Sequence, residues 1–124
     1  VAEISLDGLE ELVEELQKTG RAAGRAENAA LRAGGEVIKN GMSKRAPRSK
    51  INKPHLADNI EVSNVKKKDA EKYIEIGPGK DFFYGQFVEL GTSKMRAQPF
   101  MAPTMAEDGD KATEAMAWQL RKVL

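Results

Sequence analysis

The chain has 124 residues, a formal charge of +1, one His and no Cys. That length fits one domain, residues 1–124, whose small core buries about 65% of the unfolded surface; the absence of thiols excludes a disulfide framework and a thiolate metal site. No apolar run approaches the roughly 20 residues of a membrane span, and the amino end lacks a basic-then-apolar signal pattern, so a soluble, unexported protein is expected. The net charge conceals segregation. Residues 1–16 carry Glu3, Asp7, Glu10, Glu11, Glu14 and Glu15 with no base, whereas residues 39–57 carry Lys39, Lys44, Arg45, Arg48, Lys50 and Lys53 with no acid.

Leu6, Leu9, Leu12, Val13 and Leu16 recur at three- and four-residue spacing opposite Glu10, Glu11, Glu14 and Glu15, which predicts an amphipathic helix. Ser5 or Asp7 is expected to cap it, and Thr19-Gly20 to break it. Its acidic face reads either as solvated surface or as a contact face for a basic partner or neighbouring subunit. A longer helix is predicted from Arg21 to Arg45, because Ala22, Ala23, Ala26, Ala29, Ala30 and Ala33 favour helix. Its expected buried stripe is Ala26, Ala30, Ala33, Val37 and Met42, with Ile38 beside it. Gly34-Gly35 costs about 1 kcal/mol per glycine relative to Ala; a kink, or a backbone packed directly on a sheet, would explain that cost. Pro47 ends the helix.

Residues 47–55 are proline-bounded, basic and without periodicity, which reads as a loop. It lacks the interleaved aromatics of a single-strand stacking platform. His55 has no second histidine, so no metal site is expected. Alternation across Asn59–Val65 and Lys72–Gly77 predicts two antiparallel strands joined by a charged turn beginning at Lys66-Lys67-Lys68-Asp69. Gly77-Pro78-Gly79-Lys80 lacks the spacing of a phosphate loop.

Residues 84–103 read YGQFVELGTSKMRAQPFMAP. Phe83, Phe87 and Leu90 at i, i+4 and i+7 predict a short helix over 82–90, with an extended Val88–Leu90 as the alternative. Gly91 suits a left-handed stop, and a polar tip through Lys94 and Arg96 follows. Pro99 and Pro103 bracket Phe100, which is expected to anchor the stretch in the core. Pro103 fits the first position of a last helix whose apolar stripe is Met105, Ala112, Met116, Leu120 and Val123, with Gly109 a possible interruption. Trp118 lies off that stripe, at the core's edge or in a subunit contact. Together the elements predict an α+β fold, with long N-terminal helices and a C-terminal helix packed on a small antiparallel β-sheet.

The run Phe87-Val88-Glu89-Leu90-Gly91-Thr92-Ser93-Lys94-Met95, followed by Ala97-Gln98-Pro99-Phe100-Met101 and Pro103, resembles the signature of the small tail-component family of long-tailed bacteriophages and their prophages. The helix end at Ala46-Pro47 and the segment His55–Ile60 are similar to that family too. Gly85, Leu90 and Thr104 depart from the pattern, where the family usually has Ala, Phe and Ala. The resemblance implies a neck or tail-completion protein that joins head to tail, located in the virion and in the host cytoplasm during assembly. It implies a ring of copies of the chain itself, six-fold in the virion, between a head connector or head-closure protein and tail-terminator or tail-tube proteins. DNA would be passing cargo only.

With one His, nearly every triad scheme lacks its base, and no spacing forces two carboxylates together. No enzyme activity, cofactor or metal is expected. The residues expected to make contacts are Glu10, Glu11 and Glu14 on the acidic helix, Arg48, Lys50 and Lys53 in the basic loop, and Phe87, Glu89, Lys94, Met95, Arg96 and Trp118. Gly91, Pro99, Phe100 and Pro103 are expected to shape the motif. The rival reading is a nucleic-acid-binding module that uses the basic loop 39–54 and Lys66–Lys68.

Overall fold

A computed structural model describes residues 2–20, 23–47, 55–82, 85–94 and 96–124, without the side chains of Asp81 and Phe87. Its strands are β1 (Ala2–Ser5), β2 (Ile60–Val62), β3 (Lys66–Lys68) and β4 (Glu71–Pro78); its helices are α1 (Glu10–Lys18), α2 (Ala23–Arg45), α3 (Gly85–Leu90) and α4 (Met101–Val123). The fold is α+β, with α2 packed on one face of an antiparallel sheet and α4 packed along α2.

Strand β4 is central, and the other three all pair with it antiparallel. Ile4 lies opposite Ile74 and Val62 opposite Ile76, so alternation carries these four side chains to the helical face. Glu3, Ser5, Tyr73 and Glu75 take the other face. Between the pairs Val62–Ile76 and Lys66–Tyr73, three residues oppose two, which is a β-bulge. Ser63 pins it: its N–H donates to Glu75 O at 2.8 Å, and its Oγ accepts from Glu75 N at 2.9 Å.

The expected charged turn at Lys66–Asp69 is displaced. The three lysines form β3, and the chain reverses at Asp69-Ala70, where φ is +51° and +68°. Two positive φ values in a two-residue loop match the twist of the flanking strands. A fully exposed strand has no apolar alternation to reveal it; cross-strand charge supports it instead, with Lys66 Nζ 2.5 Å from Glu75 Oε1 and Lys68 opposite Glu71. Strand β1, which was not foreseen, is four residues long.

Helix α2 runs unbroken through Gly34-Gly35, so close packing, not a kink, accounts for the glycines. A Cβ on Gly35 would stand 2.5 Å from Ile74 Cδ1 and 2.9 Å from Val62 Cγ1. One on Gly34 would stand 2.8 Å from Met116 Cγ. Gly41, seven residues on, would likewise meet Thr104 and Asp108, so α2 and α4 are antiparallel along a glycine-lined seam. The stripe is buried at Ala26, Ala30, Ile38 and Met42, while Ala33 and Val37 are only half-buried. Leu16, Leu31, Ile74, Ile76, Phe100 and Leu120 complete the centre of the core.

Several local expectations are corrected. Neither Ser5 nor Asp7 caps α1; Leu9 holds the N-cap position without a side-chain bond, and the Glu10 carboxylate accepts the Gly8 N–H at 3.1 Å. Of the helix expected over 82–90, the described residues show a 3-10 turn at Lys80–Phe82 and α3, while Phe83 and Tyr84 lie outside the described residues. Leu90 is 79% exposed, not part of an apolar stripe. Helix α4 starts at Met101, placing Pro103 third rather than first, and Gly109 does not interrupt it.

Candidate assembly surfaces

The α3–α4 junction is built around Glu89. The first four N–H groups of a helix have no intrahelical acceptor, and here they belong to Phe100, Met101, Ala102 and residue 103. Glu89 Oε1 accepts from Phe100 N and Met101 N, both at 2.7 Å, and Oε2 accepts from Ala102 N at 3.0 Å. The fourth is Pro103, which has no N–H. A proline in third position therefore completes the accounting. Burial opposes ionisation of Glu89, but the amides of Met101, Ala102 and Phe100 outweigh it and hold the carboxyl below its ordinary value. Negative charge is also favoured at the positive end of the α4 dipole. Glu89, expected among the contact residues, thus uses both oxygens inside the chain.

Between these anchors runs an arm, residues 91–99, of which residues 91–94 and 96–99 are described. Gly91 turns the chain with φ +76°, a conformation that costs a side chain roughly 1–2 kcal/mol. The Gln98 N–H donates to Val88 O at 2.8 Å and closes the arm's base. Phe100 then plugs the core, with no exposed surface. In contrast, Thr92, Ser93, Lys94, Arg96, Ala97, Gln98 and Pro99 are all exposed.

A second anchor ties α2 to α4. Arg45 reaches Asp108 at 2.8 Å, Glu107 at 2.6 Å and Thr104 Oγ1 at 3.2 Å. Thr104 is fully buried, and its hydroxyl donates to Phe100 O at 2.6 Å. The hydrogen bond from Arg45, then its charge, hold the Asp108 carboxyl below its ordinary value. At the opposite end of α2, Lys72 Nζ reaches Glu27 at 3.1 Å and Asn28 at 3.2 Å. The 18 residues from Glu27 to Arg45 separate these ends by about 27 Å, at about 1.5 Å per residue.

Helix α1 lies at the Lys72 end. Glu10, Glu11, Glu14 and Glu15 are exposed on it, and a cleft between α1 and the β3–β4 hairpin is lined by Asp7, Glu10, Glu14 and Glu71. Hydrogen bonds from its own amide and then from Gly8 lower the Glu10 pKa. Trp118 is 59% exposed, with Lys122 Nζ 4.9 Å from its ring centroid, a cation–π distance. Arg48, Lys50, Lys53 and Met95 lie outside the described residues, as does the Phe87 side chain. Two cations of the nucleic-acid reading are engaged internally: Arg45 with Glu107 and Asp108, and Lys66 with Glu75.

The inward-facing carboxylate of Glu89 was written in the sequence only as an acid eleven residues before Phe100. Helix-capping patterns look for local partners, so no spacing rule points to it. Among the described residues, no group of three or more His, Asp or Glu is placed to hold a metal ion, and no helix is long and apolar enough to cross a membrane.

These features define a small α+β protein whose two long helices and sheet hold charged surfaces apart at opposite ends. Residues 10–91 match the family described as "Bacteriophage HK97-gp10, putative tail-component", and the chain belongs to that family. No curated protein and no solved structure matches it. The match ends at Gly91, so Glu89 lies within it while the three amides it holds lie beyond.

Proposed function

We propose that this chain is a non-enzymatic structural subunit of the phage neck, a head–tail joining component that acts as one unit over residues 1–124 and forms a ring by protein–protein contacts. The observation that carries the reading is the family match over residues 10–91. The anchored motif beyond it supports the reading, because a rigid frame with charged ends suits assembly better than turnover. The chain would stand in the virion between a head connector or head-closure protein and tail-terminator or tail-tube proteins, with DNA as passing cargo. Neighbouring copies would meet head to tail, the acidic face of Glu10, Glu11 and Glu14 against the basic segment carrying Arg48, Lys50 and Lys53. Heterologous contacts of that kind close into rings when the rotation permits. Trp118 would add apolar contact area.

The test is deletion of the coding sequence from the phage genome, followed by electron microscopy of lysates. Filled heads and full-length tails lying apart, rejoined when the protein is supplied, are expected. Joined particles at normal yield, or a complete absence of tails, would contradict a joining role.

A further inference from the structure

We propose that the arm of residues 91–99 couples the ring, by docking into the acidic cleft between α1 and the β3–β4 hairpin of a second copy of this chain. The inference rests on the ring reading above and adds to the segment carrying Arg48, Lys50 and Lys53 a second basic element that meets the same acidic end of the neighbouring copy.

The charges are complementary. Between Gly91 and Pro99 the chain carries Lys94 and Arg96 and no acid. In the cleft, Glu27 pairs with Lys72 at 3.1 Å, and of the other lining charges Asp7, Glu10, Glu14 and Glu71 are set against Lys67, with Lys68 opposite Glu71 at the cleft's edge. Leu6 and Val13 give the wall apolar surface, and Leu90, 79% exposed at the root of the arm, brings its own.

Geometry makes the contact intermolecular. The arm's base is closed by Gln98 N on Val88 O, so the chain goes out and back, and its tip reaches at most about 17 Å, some five residues at about 3.3 Å each. Its root stands beside Arg45, through Thr104, and the cleft beside Glu27, about 27 Å away along α2. An arm that cannot reach its own cleft can still reach a neighbour's. Because the two surfaces differ, each copy uses both, and the contact propagates head to tail until it closes. Glu89 and the Gln98–Val88 bond hold the arm's root ordered before contact, so docking loses less conformational freedom than ordering a free loop would.

The absence of native Cys permits a direct test. In phage carrying the full-length double variant K94C/E14C, oxidation of joined particles is expected to yield a ladder of covalent oligomers ending at the ring size, while K94C alone gives no ladder. Joined particles in which the double variant stays monomeric under oxidation would overturn the arm–cleft contact and leave the ring reading standing. If the Cys pair impairs joining, charge exchange decides: K94E/R96E is expected to lower joined particles at least tenfold, and adding E10K/E14K to restore them in part, because the segment carrying Arg48, Lys50 and Lys53 uses the same carboxylates. Normal joining with K94E/R96E alone, or no rescue by the combined variant when its circular dichroism is native, would overturn the proposal.

Discussion

Helices α2 and α4 are equally long, yet their glycines have opposite meanings. Gly35 in α2 is buried against Ile74 and Val62, and Gly41 against Thr104 and Asp108, so absent side chains set how close the layers come. Gly109 in α4 faces open space, and a Cβ there would meet nothing within 4 Å. The seam between the helices fixes the fold. The ends of the molecule, where α1 and the arm lie, carry charge that the core does not need. On the proposed reading, stability and assembly are governed by different residues, and substitutions should separate them.

The largest effect is expected at Phe100, where truncation to Ala removes a fully buried ring and should cost about 3–5 kcal/mol. A chemical denaturation midpoint equal to the parent's would refute its role as anchor. Glu89→Ala leaves three amides of α4 without their acceptor and should cost about 2 kcal/mol. It should also raise hydrogen exchange at Met101 and Ala102 before the rest of α4; uniform protection would contradict the cap.

The same carboxylate gives a pH dependence. Glu89 titrates lower in the folded chain than unfolded, so its stabilisation is fully present above the unfolded value of about 4.3 and is lost as pH falls through the lower folded value. Asp108, held down by Arg45, acts in the same direction. Acid unfolding of Glu89→Gln should start from lower stability at pH 7 and show a shallower loss below pH 4 than the parent. Parallel curves would show that ionisation of Glu89 is not what the amides favour.

The glycine comparison is sharpened by one substitution in each helix. Gly35→Ala should destabilise by about 1–3 kcal/mol through overpacking, less up to about 1 kcal/mol regained in helix propensity. Gly109→Ala should stabilise by about 0.5–1 kcal/mol, with no packing cost. Equal signs in thermal unfolding would dissolve the distinction. A comparable gain of about 1 kcal/mol is expected for Ala70→Gly, which relieves a left-handed alanine at the hairpin turn.

Much of this architecture was legible in the sequence. The amphipathic period of α1, the alanine-rich α2 and the alternation in β4 each follow from side chains that choose between core and water. Gly91 and Phe100 were legible because a left-handed turn and a proline-bracketed ring leave few alternatives. Strand β3 was hidden because exposed lysines carry no burial pattern, and β1 because four residues are too few to establish one. The start of α4 was misplaced for a more particular reason: Pro103 reads locally as a first residue, but the cap comes from Glu89 in another helix. That pairing, like the clamp of Arg45 on Asp108, exists only once the chain has folded.

The most direct measurement is the yield of joined particles from phage carrying Glu11→Lys with Glu14→Lys, set beside the variant's melting temperature. Both residues are exposed on α1, and exposed charges are worth only about 0–1 kcal/mol each to the fold. Melting within a few degrees of the parent, joined particles largely lost, and partial recovery on adding Arg48→Glu with Lys50→Glu are predicted. Normal joining by the first variant, or no recovery with the second despite native melting, would contradict assembly through opposed charged ends.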